Sequence, residues 1–224
     1  MKRLIVVVEG QTEEAFVKEV IGPHLDALKV YTSVTIVGKV VVGRRGHRGR
    51  GGGRFVNWRK DLQRILCGDR SADLAVTTLF DLYGLPGDFP GIRESAELDS
   101  RGRCEALEAA LSTELGDGRL IPYIQRHEFE ALVLASLRSL RSLLDAKDDL
   151  DGLKNLETEL RNLDPEDVNE GRHTAPSKRL CRHVPGYRKV VHGPLATADT
   201  GLTTLRKRCP RFHRWVVKLE NLGD

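Results

Sequence analysis

The chain has 224 residues, of which 40% are hydrophobic, so it can form one domain, or one domain with a subdomain, and wholesale disorder is excluded. Its first apolar run, residues 4–8, is far shorter than the roughly 20 residues that span a membrane. The acids after that run do not fit a secretory signal, so we expect a cytoplasmic protein with no membrane partner. The net charge is only +4.

The charge is concentrated in blocks. Residues 39–64 contain nine Lys or Arg and one acid, residues 145–170 contain ten acids and three bases, and residues 172–218 contain twelve Lys or Arg and one acid. Basic blocks of this kind are typical of proteins that displace counterions from phosphates, although many are only solvated faces. We therefore expect nucleic acid, DNA or RNA, as a partner.

Strand and helix patterns alternate through the first 125 residues. Apolar runs predict strands at residues 3–8, 34–42, 72–80 and 120–124. Helical periodicity predicts helices at residues 11–28, 56–66, 103–115, 128–144 in two pieces, 150–163, 176–182, 195–208 and 211–222. Alternating strands and helices form βαβ units and a parallel sheet.

The predicted fold class is therefore α/β, with a parallel, Rossmann-like sheet followed by a helical C-terminal portion. We place the α/β core at residues 1–126 and the helical portion at residues 127–224. The helical portion is expected to pack on the core, either as a second domain or as part of a single one.

Residues 43–54 consist of Gly, Arg and one His. A segment of this composition cannot bury apolar surface, so it is predicted to be a loop or disordered. Its arginines would grip a polyanion backbone without reading the base sequence. The predicted nucleic-acid-binding residues are Arg44, Arg45, Arg48, Arg50, Arg54 and, at a later helix start, Arg179.

Two acids directly follow predicted strands, Glu9 after the first and Asp81 after the third. Functional groups of a parallel sheet gather beyond the carboxyl ends of its strands, and neighbouring strand ends are roughly 5 Å apart. Two carboxylates at that distance suit one Mg²⁺, which takes one or two carboxylates together with water and phosphate. Glu13 would point back toward Glu9 if a helix has begun there. The alternative is that Glu13 only complements the helix dipole.

Two later segments carry further candidates. Glu128 follows the fourth predicted strand and would reach the same sheet edge, whereas Glu130, two positions on in a helix, would turn away. His127 could be a ligand, a proton carrier or a packed residue. Lys178 lies at a predicted helix start, where a phosphate would be well held, although an ordinary exposed basic helix is the alternative. Lys189 is a weaker candidate of the same type.

Two other signals are discounted. None of the four cysteines forms a CxxC pair, so neither a zinc site nor a disulfide framework is predicted. Trp58, Phe212 and Trp215 lie at helical spacing and are predicted to be core residues rather than base-stacking residues.

Several motifs together resemble a known fold family. VEGQTEEAF resembles the first motif of TOPRIM (topoisomerase–primase) proteins, in the form EGxTE of overcoming-lysogenization-type nucleases. FDLYGLPGDFPG, RHEFEALV, PEDVNEG with PSKRL, YRKVVHG and CPRFHRWVVKL resemble successive blocks of an uncharacterised bacterial family with a TOPRIM-like core. These blocks run in order through almost the whole chain.

The resemblance implies a metal site. TOPRIM proteins use a strand-end Glu and an Asp-x-Asp motif to hold divalent metal for phosphodiester chemistry. The resemblance therefore implies a Mg²⁺ or Mn²⁺ site built on Glu9, Glu13 and Asp81, which Glu128 would supplement.

The chain departs from the Asp-x-Asp pattern at the second acid, which is Tyr83. A phenol is a poor ligand for Mg²⁺, which prefers hard oxygen anions, and this argues against a full two-metal site. Compensation could come from Asp88 in the following loop, or from Glu128 or Glu130.

Together these features predict a metal-dependent nuclease, or a related phosphoryl-transfer enzyme, acting on DNA or RNA. Glu9 and Asp81 would hold the metal and Lys178 would support the scissile phosphate. The resemblance also implies anti-phage defence and, because the sequence has no Walker motif, a separate ATPase as partner. Two alternatives stay open: a non-catalytic TOPRIM-like module that binds nucleic acid or an ATPase, and a metal-dependent phosphohydrolase of a small substrate.

Overall fold

A computed structural model describes residues 1–38, 53–168, 171 and 174–223, together with the backbone of residues 41–42 and 47–48. The strands are β1 (Lys2–Val8), β2 (Val30–Ile36), β3 (Val41–Val42), β4 (His47–Arg48), β5 (Leu74–Asp81), β6 (Leu120–Ile121) and β7 (Ile124–Gln125). The α-helices up to residue 141 are α1 (Gln11–Phe16), α2 (Gly22–Asp26), α3 (Phe55–Gly68), α4 (Ser100–Leu115), α5 (Glu130–Leu134) and α6 (Leu137–Arg141). A π-helix, Val17–Ile21, joins α1 to α2. The later helices are α7 (Lys147–Glu159), α8 (Pro176–His183), α9 (Lys189–Thr200), α10 (Leu202–Arg208) and α11 (Pro210–Glu220).

Five strands form the central sheet. Their order is β2-β1-β5-β6, and β7 also pairs with β5. All of these pairs are parallel. Every residue of β5 is buried, as expected of a strand covered on both faces. The predicted α/β class, with a parallel sheet and a helical C-terminal portion, is confirmed.

Several element boundaries differ from the sequence prediction, and three of the differences have a local cause. The second strand is shifted toward the N-terminus and ends at Ile36, because Gly38 adopts a positive φ of 69° and turns the chain. The fourth strand is divided at Pro122, which cannot donate to the strand ladder. The helix predicted at residues 195–208 is divided at Gly201, where φ is 79°.

The prediction that residues 43–54 form no regular structure also needs a correction. His47 and Arg48 form β4, which pairs antiparallel with β3. A two-residue strand needs only backbone hydrogen bonds, so it does not require the buried apolar side chains that the segment lacks.

Alternate residues of β1 point to the two faces of the sheet and enter different apolar clusters. Val6 and Val8 join a cluster that extends to Phe212 in α11. Val7 joins the opposite cluster, which contains Trp58 in α3. Phe212, Trp58 and Trp215 are buried, which confirms their predicted place in the core.

The first of these clusters crosses the boundary predicted at residue 126, because it contains residues of both β1 and α11. Trp215 in α11 donates a hydrogen bond of 2.9 Å to Thr77 of β5 and stacks on Tyr123 with ring centroids 4.6 Å apart. These contacts fix the last helix to the sheet. The division into two portions stays a prediction. None of the described helices is long and apolar enough to cross a membrane.

Candidate functional site

The carboxyl ends of β1 and β5 bring Glu9 and Asp81 together. The two strands are paired neighbours, with Val8 opposite Leu79. Oε1 of Glu9 accepts a hydrogen bond of 2.7 Å from the backbone N–H of Asp81. The metal-site hypothesis required these two strands to be neighbours, and they are. The role of the two acids as metal ligands stays a prediction.

Backbone N–H groups orient both carboxylates. Oδ1 of Asp81 accepts a hydrogen bond of 2.8 Å from the N–H of Phe129, as Oε1 of Glu9 does from Asp81. One oxygen of each carboxylate is thereby fixed, and the second oxygen remains for another partner. Hydrogen-bonded carboxylates of this kind are typical of metal sites, where the surrounding groups orient the ligands.

Gly84 leaves space for Glu9. It ends the 3-10 turn Leu82–Gly84, which directly follows β5. A Cβ atom placed on Gly84 would overlap Oε2 of Glu9 and lie 3.0 Å from its Cδ. Any side chain at this position would displace the Glu9 carboxylate.

Glu13 adds a third carboxylate from the first turn of α1. Its side chain is buried, and its Oε2 lies 3.1 Å from the place that a Cβ on Gly10 would take. Its charge raises the pKa of both Glu9 and Asp81, so it lies near the strand ends. The turn at Gly10 therefore directs Glu13 toward the other two acids.

The acids are buried together, and this raises their pKa values. Burial is the main cause that raises the pKa of Glu9 to about 8, and the charge of Glu13 adds to it. Burial is also the main cause that raises the pKa of Asp81 well above its usual range, with Glu13, Glu9 and Glu130 adding to it. The charge of Lys189 lowers the pKa of both acids, but both pKa values stay above the usual range of a carboxyl group. Burial and the neighbouring acids therefore favour the protonated form of both carboxyl groups, and Lys189 only partly opposes this.

Lys189, the first residue of α9, supplies the positive charge. Its Nζ lies 3.1 Å from Oε2 of Glu130 and 3.7 Å from Oδ2 of Asp81. Burial lowers the pKa of Lys189, but the charges of Asp81 and Glu130 outweigh burial and hold the pKa above its usual range. Lys189 is thus a protonated amine against the carboxylate cluster, a position that the sequence pattern only weakly indicated.

The orientations of Glu128 and Glu130 are the reverse of those expected. Oε2 of Glu128 accepts a hydrogen bond of 3.0 Å from the N–H of Ser177 at the start of α8, whereas Glu130 is fully buried beside Lys189. The expectation assumed that Glu128 and Glu130 lie on one helix. Instead, α5 begins only at Glu130, and His127, just before Glu128, has a left-handed φ of 65°.

The start of α8 differs from the open phosphate site that we expected around Lys178. The N–H of Ser177 already donates to a carboxylate, and the side chain of Lys178 is exposed on the helix. Arg179 forms an ion pair with Glu159, and its Nε donates to the carbonyl of Thr174. The roles of Lys178 and Arg179 toward phosphate stay predictions.

Asp88 and Arg54 interact at the start of α3. The N–H of Phe55 donates to Oδ1 of Asp88 over 2.7 Å, and Nε of Arg54 lies 3.5 Å from Oδ2. The carboxylate of Asp88 is therefore bonded to the start of α3. This makes it a poorer substitute for the second acid of the Asp-x-Asp motif, whose position is taken by Tyr83. Arg44, Arg45 and Arg50 lie outside the described residues, and of Arg48 only the backbone is described.

Tyr83 contacts His127. Its hydroxyl lies 3.0 Å from Nδ1 of His127, and its backbone N–H donates to the His127 carbonyl over 3.1 Å. Burial, with a contribution from the charge of Arg126, lowers the pKa of His127 to about 4, so the ring is neutral at pH 7. Nε2 of His127 is buried and has no hydrogen-bond partner among the described residues. Of the three roles left open for His127, the packed residue fits this environment best.

The donor set fits Mg²⁺ or Mn²⁺ bound through one or two carboxylates. Glu9, Glu13 and Asp81 offer hard oxygen atoms, and burial raises the pKa of Glu9 and of Asp81, so a bound cation would favour their ionised forms. Within the described ranges, however, no group of three or more His, Cys, Asp or Glu side chains forms a ready metal cluster. The site therefore suits an ion that keeps water or phosphate ligands rather than an ion enclosed by protein.

Comparisons with known proteins give one family and two solved structures. The model of a family described as "Domain of unknown function (DUF4276)" matches residues 8–220. The chain is similar to the C-terminal region of the Burkholderia pseudomallei OLD protein, with 16% identity over 100% of both chains and a TM-score of 0.47. It is also similar to the C-terminal region of the Xanthomonas campestris pv. campestris OLD protein, with 15% identity over 97% of this chain and 98% of that chain and a TM-score of 0.41. No curated protein matches the sequence.

Proposed function

The chain belongs to the DUF4276 family, and we propose that it is a phosphodiesterase that uses Mg²⁺ or Mn²⁺ to cleave DNA or RNA. One observation carries the proposal: Glu9 and Asp81 lie together at the carboxyl ends of two adjacent parallel strands, with Nζ of Lys189 3.7 Å from Asp81. The resemblance of EGxTE and FDLYG to TOPRIM motifs supports the same function.

In this proposal each residue has a separate task. Glu9 and Asp81 hold the ion through the oxygens that do not accept a backbone N–H, and Glu13 adds negative charge beside them. The ion, when bound, polarises the scissile phosphate and activates a water molecule. Lys189 offsets charge that develops on the phosphate oxygens. The sequence assigned support of the scissile phosphate to Lys178. We assign it to Lys189, because Nζ of Lys189 lies 3.7 Å from Oδ2 of Asp81.

Charge supports a nucleic-acid substrate. The basic blocks at residues 39–64 and 172–218 contain 9 and 12 Lys or Arg. Such a density of cations suits the many phosphates of a nucleic-acid backbone better than a small substrate with one or a few phosphates. A separate ATPase subunit and a role in anti-phage defence depend on the sequence resemblance alone and stay predictions.

The second candidate function is a non-catalytic module that binds nucleic acid or an ATPase. Two observations favour it: the described part of the chain has no three-member metal cluster, and Lys189 already places a positive charge 3.7 Å from Asp81. A module of this kind would keep its activity in cells when Glu9 or Asp81 is replaced, but would lose it without residues 43–54.

Calorimetry with Mn²⁺ tests the proposal without a substrate. The proteins are the wild type, Glu9→Gln, Asp81→Asn and the control Glu14→Gln. Glu9→Gln keeps an oxygen that can accept the Asp81 N–H, so it removes charge with little change of shape. Glu14 neighbours Glu13 in sequence but forms an ion pair of 2.8 Å with Lys18, so its replacement should not affect the metal. We expect both site variants to lose at least about tenfold in affinity.

Cleavage of labelled DNA and RNA strands in Mn²⁺ then tests the activity itself. Glu9→Gln and Asp81→Asn should abolish cleavage, and Glu14→Gln should retain it. If the wild type binds no Mn²⁺, or if all four proteins bind it equally, the phosphodiesterase proposal is wrong and the non-catalytic module is favoured.

A further inference from the structure

Nearly all aromatic side chains of this protein are in the core. The chain has six Phe, two Trp and four Tyr, and all of them except Tyr31 and Tyr83 are buried. Tyr31 is on β2, opposite Arg3 near the amino end of β1. Tyr83 is 44% exposed and lies two residues beyond Asp81. An aromatic ring is therefore exposed two residues beyond Asp81, in a chain that buries nearly every other ring.

Tyr83 is held in place by a strained residue. Its hydroxyl and its backbone N–H both contact His127, at 3.0 Å and 3.1 Å. His127 is only 1% exposed and has a left-handed φ of 65°, which is uncommon for a residue other than glycine. Observed backbone strain of this kind is typical of functional sites, where the fold fixes a group in one position. Here the group fixed is the phenol ring.

We propose that Tyr83 stacks on an unpaired base next to the scissile phosphate, and that His127 is the positioning residue that holds the ring. This inference rests on the proposed function, since it takes the acids at the strand ends as the place of cleavage. A base inside a duplex is covered on both faces by its neighbours, whereas a single-stranded or splayed nucleotide offers a free face. The substrate class is therefore single-stranded or locally unpaired nucleic acid.

A packing role or a metal-ligand role explains Tyr83 less well. Ten of the other eleven aromatic rings are buried, and the eleventh, Tyr31, lies near the amino end of β1, away from the acids. Exposure two residues beyond Asp81 therefore separates Tyr83 from the rings that only pack. A phenol makes a poor ligand for a hard cation, and this hydroxyl is already bonded to Nδ1 of His127. Base–aromatic stacking uses the ring rather than the hydroxyl, so it is compatible with that bond.

Equilibrium binding compares a single strand of about 20 nucleotides with the duplex of the same sequence, each as DNA and as RNA. The full chain is titrated in Ca²⁺, and the variants are Tyr83→Ala, Tyr83→Leu, Tyr83→Phe and the control Tyr31→Ala. Tyr83→Ala and Tyr83→Leu should weaken single-strand binding about tenfold and duplex binding less than about twofold. Tyr83→Phe keeps the ring and should stay within about threefold, and Tyr31→Ala should match the wild type.

Fluorescence of 2-aminopurine in the single strand reports stacking directly. The wild type and Tyr83→Phe should quench it on binding, and Tyr83→Ala should not. His127→Asn should also weaken single-strand binding and quenching, but less than Tyr83→Ala does. Its duplex binding should be unchanged. Asn tolerates the left-handed backbone but is too short to hold Tyr83 as His127 does. A merely structural role of His127 would affect both substrates alike.

Two outcomes would overturn the inference. Unchanged single-strand binding in both Tyr83→Ala and Tyr83→Leu would mean that the ring does not contact the substrate. Equal losses on strand and duplex would mean that Tyr83 supports the fold or the backbone contacts. If the wild type binds Mn²⁺ through Glu9 and cleaves nucleic acid while Tyr83→Ala behaves identically, only the inference fails. If the wild type neither binds Mn²⁺ nor cleaves, the proposed function fails with it.

Discussion

The carboxylate of Glu9 fits against the backbone of Gly84 so closely that a methyl group there would overlap it. Gly84→Ala should therefore displace Glu9 and weaken its hydrogen bond with the Asp81 N–H. We expect Mn²⁺ affinity to fall at least about tenfold, because the ligand loses its orientation. Calorimetry measures this, and the melting temperature shows whether the fold persists.

Gly87→Ala is the matched control for this change. Gly87 lies in the same loop, and a Cβ placed on it would meet nothing within 4 Å. Its replacement should leave Mn²⁺ affinity at the wild-type value. Equal Mn²⁺ affinity in Gly84→Ala and Gly87→Ala would show that Glu9 can move without loss, which contradicts an oriented ligand.

Sequence reasoning found some site residues and missed others for a physical reason. Glu9 and Asp81 could be predicted because each directly follows a buried apolar run, so local sequence places them at a strand end. Lys189 belongs to the site only because α9 packs against α1 and brings its first residue to Asp81. No local pattern encodes that contact. Glu130 was considered but ranked below Glu128, because helical spacing was assumed before α5 begins at Glu130.

At the scale of elements, Glu166 fixes the start of α11. Its two carboxylate oxygens accept the N–H groups of Arg211 and Phe212 over 2.7 Å and 2.9 Å. These are two of the four N–H groups that a helix leaves unpaired at its N-terminus, and a negative charge there also complements the helix dipole. Since α11 carries Phe212 and Trp215 into the core, Glu166 links a helix end to the packing of the sheet.

Glu166→Gln should therefore destabilise the protein. The amide keeps one acceptor and places an N–H₂ group against a backbone donor, at a cost of about 1–2 kcal/mol in the free energy of unfolding. Urea denaturation measures the change. The control is Glu97→Gln, because Glu97 is exposed and its replacement should stay within about 0.5 kcal/mol of the wild type. If the two variants are equally stable, Glu166 is not a stabilising cap.

The strand errors show what apolar patterns cannot resolve. β2 is an edge strand whose residues alternate between more and less exposed, so its sequence VYTSVTI has no continuous apolar run. The continuous run at residues 34–42 looked more strand-like, but Gly38 turns the chain within it. Long strands with two buried faces, such as β1 and β5, were predicted to within two residues because both faces demand apolar side chains.

Across the whole molecule, stability should depend on pH through the carboxylate cluster. The pKa of Glu9 is about 8 in the folded protein against 4.5 for an ordinary glutamate, so the folded state retains a proton that the unfolded chain has lost. The free energy of unfolding therefore falls as pH rises between these values. Asp81, with its raised pKa, acts in the same direction. His127, whose pKa is lowered to about 4, acts in the opposite direction, but only below the ordinary histidine pKa of 6.5.

The interval from pH 6.5 to pH 8 thus isolates the acids. Metal-free wild type should lose about 1 kcal/mol of stability over this interval, and Glu9→Gln should lose clearly less because it has no proton to release. Urea denaturation in EDTA at several pH values measures both slopes, with Glu14→Gln expected to follow the wild type. Saturating Mn²⁺ should remove the wild-type slope, because the bound ion replaces the proton as the compensating charge. Identical slopes for Glu9→Gln and wild type would mean that Glu9 is ionised in the fold without a metal, and the main electrostatic reason for a cation at the strand ends would be lost.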